Sequence, residues 1–121
     1  MKHKTPKRHG KAGPEARIQA DIIAYLRGLG WHVMETHGNM YQSGFPDLFA
    51  CHSRYGQRWI EVKNPKSYKF TLAQLEDFPK ICANGSGVWI LIAAIDDEYE
   101  KLFKSPNWFT YLSEWRRLGG V

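Results

Sequence analysis

Two carboxylates and one amine lie along a short stretch of the chain at a spacing that suits phosphodiester chemistry. Asp47 follows a proline, and Glu61 and Lys63 flank a single valine fourteen to sixteen residues further on. Mg²⁺ prefers hard oxygen ligands and is usually held by one or two carboxylates together with water and substrate phosphate. A bound cation activates water, and a nearby lysine can orient or deprotonate that water or stabilise charge on the phosphate. The three residues would therefore suit metal-dependent phosphodiester hydrolysis.

A β-hairpin would bring these side chains together. Residues 47–53 and 57–63 are rich in aromatic and apolar side chains, which is typical of strands. Residues 54–56 between them fit a three-residue loop that ends with a glycine in the left-handed region. Such a loop predicts that Ser53 pairs with Gln57.

In this register Phe49 faces Glu61, and Asp47 faces Lys63. Because side chains alternate along a strand, the three charged side chains then share one face, with directly opposed Cβ atoms roughly 4.5–5.5 Å apart. A two-residue loop would instead turn Asp47 to the other face. The alternative to a metal site is a cross-strand salt bridge on a solvated face, because surface ion pairs are common and weak.

A helix and a strand are predicted before the hairpin. Residues 14–29 carry an apolar stripe at i, i+4 and i+7, with a proline at the first helical position and glycines at the end. Residues 31–36 alternate in the manner of a strand. These two elements would supply the first helix and the first strand of the fold.

A second helix is predicted over residues 72–84. Thr71 and Gln74 fit a capping box at its start. Pro79 removes one backbone hydrogen bond, so the helix should kink or split near Phe78.

The continuous apolar run over residues 88–95 is typical of a strand buried on both faces, at the end of a β-helix-β crossover. Asp96 or Asp97 is predicted to cap a short helix that ends near Phe103. A last helix is predicted from Pro106 to about residue 118, with an aromatic stripe that could be core or a dimer face.

Pro46-Asp47 followed by Glu61-Val62-Lys63 resembles the signature of the PD-(D/E)XK nucleases. The flanking residues 43–48 and 59–64 resemble most the VRR-NUC branch, with archaeal-type Holliday junction resolvases close by. The resemblance extends over residues 15–92 and includes the helix before, the hairpin between, and the Thr-x-x-Gln helix after. It implies an α/β, restriction-endonuclease-like fold with an αβββαβ core, in which a mixed β-sheet is flanked by helices.

The resemblance also implies a structure-selective, metal-dependent DNA endonuclease that leaves 5′-phosphate and 3′-hydroxyl ends. Branched DNA is the expected partner, and two incisions at a junction would need two sites, hence a homodimer. The implied roles are as follows: Asp47 and Glu61 bind Mg²⁺ or Mn²⁺, Lys63 activates or orients water, and Gln74 positions Lys63. The Val62 carbonyl is a candidate third ligand. Glu15 either joins the metal shell or is an acid favoured by the dipole of the first helical turn.

Further residues are expected to contact DNA. The loop over residues 64–70 is basic with interleaved aromatics, and in it core packing is expected for Phe70, whereas Tyr68 could pack or stack on a base. The candidate phosphate and backbone contacts are Lys66, Lys69, Asn39, Ser43, Lys7, Arg8 and Lys11. In the loop after the first strand, His37 and Tyr41 are interpreted as ordinary solvated residues.

The charge of the chain is concentrated at its start. The 121 residues carry a formal charge of +5, and five basic residues without any acid precede residue 14. The remaining basic and acidic residues balance at twelve each. This pattern predicts a disordered basic arm over residues 1–13 on a single globular domain. The resemblance implies that this domain, residues 14–121, is a nuclease domain. The alternative for the arm is a solubilising tail or an expression remnant.

A zinc site, a membrane segment and export are all disfavoured. No recognised zinc spacing connects the candidate ligands His32, His37, Cys51, His52 and Cys82. The longest apolar run, residues 88–95, is far too short to span a membrane, and no signal peptide is visible. A cytoplasmic protein is therefore expected.

Two other functions stay open. One is a nuclease with a different target, such as a restriction, repair or flap-processing enzyme. The other is a non-catalytic nucleic-acid-binding module on the same fold, against which the intact Asp47, Glu61 and Lys63 argue.

Overall fold

The computed structural model describes residues 13–36 and 44–120. In these ranges the chain forms helices α1 to α4, strands β1 to β4 and a 3₁₀ turn after α3. In chain order the elements are α1 (Pro14–Gly28), β1 (His32–Glu35), β2 (Leu48–His52), β3 (Gly56–Val62), α2 (Leu72–Ala83), β4 (Val88–Leu91), α3 (Asp96–Glu100), the 3₁₀ turn (Lys101–Phe103) and α4 (Trp108–Arg117). This order confirms the predicted αβββαβ core.

The strands form one mixed sheet in the order β1-β2-β3-β4. β2 pairs antiparallel with both β1 and β3, whereas β3 and β4 are parallel. Parallel neighbours need a long crossover connection, and α2 provides it. The predicted mixed sheet is thus confirmed.

The register of the β2–β3 hairpin differs from the prediction. Ser53 does not pair with Gln57; instead His52 pairs with Gly56 and Phe49 faces Trp59. Gly56 has the expected positive φ of 84°, but it already belongs to β3, so the loop is residues 53–55. The resulting shift is two residues, which preserves the face of every side chain because the period of a strand is two. By extension of this register, Asp47 lies opposite Glu61 rather than Lys63.

Helices cover both faces of the sheet and create two hydrophobic clusters. The cluster on the α1 face contains Ile22, Ile23, Leu26, Trp31, Val33, Leu48, Ala50, Ile60, Val62, Trp89, Leu91 and Leu102. The cluster on the α2 and α4 face contains Phe70, Phe78, Val88, Ile90, Trp108 and Leu112. β4 is buried along its whole length, as its continuous apolar run predicts.

β4 ends at Leu91, four residues before the predicted end. The backbone N–H of Ile92 donates to Glu98 Oε1 at 3.0 Å, so a side chain of α3 replaces a sheet partner there. Helix α3 begins after Ile95, without a side-chain cap. The predicted capping role of Asp96 or Asp97 is therefore wrong.

Two helix predictions near the second cluster also need correction. α2 is continuous through Pro79, so the predicted split near Phe78 does not occur; Phe78 is buried in the cluster while Pro79 faces solvent. α4 begins at Trp108 rather than at Pro106. The side chain of Asn107 bonds to both backbone groups of Ile90, with N–H···Oδ1 at 2.6 Å and Nδ2–H···O at 3.2 Å, and this contact places the start of the helix.

Among the described residues, no helix is both long enough and apolar enough to span a membrane.

Candidate active site

The charged trio lies at the end of the hairpin away from its turn, on the face covered by α2. Asp47, Glu61 and Lys63 are 1%, 0% and 2% exposed. A solvated surface salt bridge is therefore not the correct interpretation of this trio, because the face is covered. Charged groups at this depth need hydrogen-bonded partners.

A backbone N–H group from across the hairpin donates to each of the two carboxylates. The N–H of Asp47 donates to Glu61 Oε1 at 3.1 Å, and the N–H of Val62 donates to Asp47 Oδ2 at 2.8 Å. The carbonyl of Asp47 accepts from Thr36 at 2.9 Å, which extends the β1–β2 ladder by one pair. Each carboxylate thus has one oxygen positioned by the backbone of the neighbouring strand.

The amide of Gln74 connects α2 to Glu61 in β3 and to Lys63 directly after it. Its Nε2 donates to Glu61 Oε2 at 2.8 Å, and its Oε1 accepts from Lys63 Nζ at 3.0 Å and from the N–H of Thr71 at 3.1 Å. Thr71 Oγ1 accepts from the N–H of Gln74, which completes the predicted capping box. The cap that starts α2 therefore also fixes the orientation of the amide in the site.

Lys63 is held from several sides. Its Nζ lies 2.6 Å from the carbonyl of Lys69 and 3.2 Å from Glu61 Oε2, in addition to its bond to Gln74. It also lies 4.7 Å from the centroid of the Phe70 ring. An ammonium donates three hydrogen bonds, and these acceptors match them. The arrangement favours a fixed positive charge over a proton acceptor.

A cavity of about 350 Å³ opens beside this network. It is lined by Pro14, Glu15, Lys63, Asn64, Ser67, Lys69, Thr71 and Gln74. Glu15 reaches it from α1, on the other face of the sheet, and its Oε1 accepts from the N–H of Asn64 at 3.0 Å. The cavity therefore lies where the first turn of α1, the end of β3 and the start of α2 meet.

The structure brings together some of the predicted site residues and not others. Lys69 is exposed at the rim of the cavity, whereas Lys66 is exposed outside its lining. The predicted contacts Asn39, Ser43, Lys7, Arg8 and Lys11 lie outside the described residues, as do His37 and Tyr41. The same holds for the predicted arm except Gly13.

The donor set fits a hard divalent cation. The carboxylates of Asp47 and Glu61 lie opposite each other on one face of the sheet and offer hard oxygen donors. Within residues 13–36 and 44–120, no three His, Cys, Asp or Glu side chains group closely enough to hold a metal ion. A carboxylate pair completed by water and phosphate is a donor set that Mg²⁺ accepts.

Sequence reasoning missed three contributors to this site. Phe70, expected only in the core, also lies under the Lys63 ammonium, and the backbone of Lys69 accepts from it. The N–H of Asn64 donates to the carboxylate of Glu15. Backbone contacts of this kind leave no trace in residue types, although the Lys-rich loop directly after β3 indicates the region.

A comparison with solved structures supports the fold. No family model and no curated protein matches the chain. Among solved structures it is similar to a VRR_NUC domain, with a TM-score of 0.61 and 25% sequence identity. The match covers 76% of this chain and 96% of that domain. Together with the mixed sheet and its flanking helices, this likeness shows that the chain has the restriction-endonuclease-like fold of the VRR-NUC nuclease domains.

Proposed function

We propose that the protein is a metal-dependent DNA endonuclease that hydrolyses phosphodiester bonds in branched DNA. The observation that carries the proposal is the buried network of Asp47, Glu61, Lys63 and Gln74 on a nuclease fold. Its paired carboxylates and fixed ammonium are costly to bury without a function, because buried charges stabilise a fold poorly compared with apolar side chains.

The residues of this network would divide the work. Asp47 and Glu61 would hold Mg²⁺ or Mn²⁺, with the Val62 carbonyl and Glu15 as candidate further ligands, and the ion supplies water activation and charge neutralisation when bound. Lys63 stabilises negative charge on the phosphate. Its ammonium already donates to fixed acceptors in the protein, which favours electrostatic action over proton transfer.

Gln74 and Lys69 act on either side of that charge. Gln74 orients both Lys63 and Glu61 through its two amide atoms. The exposed Lys69 side chain, at the rim of the cavity, draws the DNA backbone toward the site. Cleavage would leave 5′-phosphate and 3′-hydroxyl ends.

The preference for branched DNA and the homodimer belong to the same proposal. Paired incisions across a junction need two active sites in fixed relation, and twofold symmetry is the simplest way to supply them. The expected partner is therefore DNA with a branch, bound by two copies of the chain.

The test is a cleavage assay on end-labelled four-way junction, flap, nicked and plain duplex DNA, with Mg²⁺, Mn²⁺ or EDTA. Glu61→Gln removes one carboxylate charge from the site, and Glu76→Gln removes the same charge from an exposed position on α2 as the matched control. We expect paired, metal-dependent cuts at the junction that are lost only in Glu61→Gln.

Other results would change the proposal in defined ways. Cuts on every substrate would keep the nuclease and remove the preference for branches. Cuts on flaps alone would indicate a flap-processing enzyme. DNA binding without cleavage under either metal would leave a binding module on the nuclease fold.

A further inference from the structure

A second and larger cavity, of about 550 Å³, lies beside the candidate active site. It is formed where the loop after β3, the end of β4, the residues after the 3₁₀ turn and helix α4 meet. Among its lining residues are Pro65, Tyr68, Ile92, Lys101, Tyr111 and Glu114. Nothing in the proposed cleavage chemistry uses this cavity.

One short loop separates the two cavities. Asn64, Ser67 and Lys69 line the candidate active site, whereas Pro65 and Tyr68, between them in sequence, line the second cavity. The two cavities are thus a single backbone segment apart.

The second cavity has the chemistry of a site for a flat, polar-edged ring. The rings of Tyr68 and Tyr111 meet edge to face with centroids 5.7 Å apart. The hydroxyl of Tyr68 donates to Glu114 Oε2 at 2.9 Å, so a carboxylate acceptor lies beside the aromatic wall. Ligand sites are typically concave, mostly apolar and of about 300–1,000 Å³, with a few convergent polar groups.

Positive charge borders the same wall. Lys101 Nζ lies 2.8 Å from the hydroxyl of Tyr111 and 5.4 Å from its ring centroid, and it is paired with Glu98. Burial lowers the pKa of Lys101, but hydrogen bonds to Glu98 and Tyr111 outweigh burial and raise the pKa overall. Lys101 therefore stays charged at neutral pH. Exposed Lys104 adds a second cation at the opening.

We propose that this cavity takes the base of one unpaired nucleotide from the DNA strand whose phosphate lies in the candidate active site. This inference rests on the proposed function, because it assumes a DNA substrate. Unpaired bases are recognised by stacking on aromatic side chains, and a carboxylate accepts from the exocyclic amine of cytosine. Asn107 does not read the base, because both ends of its amide are bonded to Ile90.

The cavity would make the enzyme selective for DNA with unpaired nucleotides. A base inside a duplex must be unstacked and unpaired before it can enter, which costs energy that an unpaired base does not pay. Branch points, flaps and bulges supply such bases next to a backbone that the neighbouring site can cleave.

The test is binding of the full chain, in EDTA, to a duplex with one unpaired 2-aminopurine and to the same duplex fully paired. We expect tighter binding to the unpaired DNA and a change in 2-aminopurine fluorescence. Tyr111→Leu, which removes the ring but keeps apolar volume, should weaken binding to the unpaired DNA about tenfold. It should leave binding to the paired duplex unchanged.

Two further variants control for folding and for the loss of an aromatic ring. Phe109→Leu removes an exposed ring from the same helix outside the cavity, and it should not change either affinity. Tyr111→Phe keeps the ring and loses only the hydroxyl bond to Lys101, so discrimination between the two DNAs should persist. Circular dichroism checks that all three variants are folded.

The outcomes separate this proposal from the proposed function. Equal binding to both DNAs with unchanged fluorescence, in a protein that does cleave DNA, overturns the base site alone. A fluorescence change that depends on Tyr111, in a protein that does not cleave, supports the base site and overturns the catalytic proposal. No binding to either DNA overturns both.

Discussion

At the end of β3, over residues 60–63, both faces are buried but chemically opposite. Ile60 and Val62 point toward α1 and are 0% exposed, and Glu61 and Lys63 point toward α2 with almost no exposure. The apolar face depends only on volume and close packing, so a substitution there should lower stability in proportion to the side-chain volume that is removed. The polar face needs each donor and acceptor to keep its partner. Changes to the two faces should therefore fail in different ways, one through stability and the other through activity.

The largest effect is expected from removing a charge on the polar face. Asp47→Asn keeps the side-chain volume and an acceptor for the N–H of Val62, but it removes one of the two carboxylate charges. We expect single-turnover DNA cleavage to fall by at least ~10³-fold, with a thermal midpoint close to that of the wild type. A variant that cleaves DNA at the wild-type rate would remove Asp47 from the catalytic site.

The apolar face should show the reverse. Ile60→Ala opens a cavity beneath α1 and should lower the free energy of unfolding by about 2–5 kcal/mol, measured by urea titration. The fraction that remains folded should cleave DNA within about twofold of the wild-type rate, because the side chains of Asp47, Glu61 and Lys63 lie on the opposite face of the sheet. A large loss of activity in the folded fraction would show that the two faces are coupled.

Gly44 lies three residues before Asp47 and packs closely against α2. A Cβ at this position would lie 2.9 Å from the carbonyl of Ala73 and would overlap Asp77 Oδ2. Gly44→Ala should therefore displace the segment that carries Asp47, and we expect a loss of cleavage of about 10²-fold. Adding Asp77→Ala removes only the side-chain clash, so the double variant should recover only in part. Full recovery would show that the backbone contact is unimportant.

A smaller effect is expected at the cap that orients Gln74. Thr71→Ala removes the acceptor for the N–H of Gln74 and should cost about 1 kcal/mol of stability. The loss of this cap also loosens residue 71, whose N–H donates to Gln74 Oε1, so we expect a moderate loss of cleavage as well. Thr71→Ser restores the hydroxyl and should recover both properties, whereas recovery of stability alone would separate the cap from the site.

The smallest effect is expected on the titration of Tyr68, which lines the second cavity. Burial, followed by its hydrogen bond to Glu114, raises the pKa of Tyr68 from 10.0 to about 12. A raised pKa means that the folded state favours the neutral phenol. The contribution of Tyr68 to the stability of the fold is therefore complete below pH 10 and is lost as the pH rises through about 12. Glu114→Gln should lower the pKa without returning it to 10.0. Tyrosinate absorbance measures this shift, and an unchanged titration would exclude the carboxylate as a cause.

Local patterns predicted the parts of the fold that depend on neighbours in sequence. The Thr71–Gln74 capping box is confirmed because both partners lie within one helical turn. The prediction that the trio shares one face is correct although the predicted register was wrong. The register error was two residues, and side chains alternate along a strand with a period of two. Features set by distant contacts were missed. Glu98 ends β4, and Asn107 sets the start of α4 through Ile90.

The candidate site divides in the same way. Residue types and spacing indicated Asp47, Glu61 and Lys63 before any geometry was known. The depth of their burial, the contact of Lys63 with Phe70 and the backbone acceptor at Lys69 arise from the packing of α2 and the loop after β3. Such contacts depend on three-dimensional placement rather than on residue type, which is why the sequence pattern does not contain them.

The bond from Lys63 Nζ to the carbonyl of Lys69 closes a ring of seven residues around the loop after β3. Lys63 therefore holds this loop in place in addition to supplying a charge. Replacing it with alanine would release the wall shared by both cavities along with the ammonium. A loss of activity in Lys63→Ala would then combine altered chemistry with altered substrate placement, and Lys63→Arg, which keeps the charge but changes the reach, would separate the two.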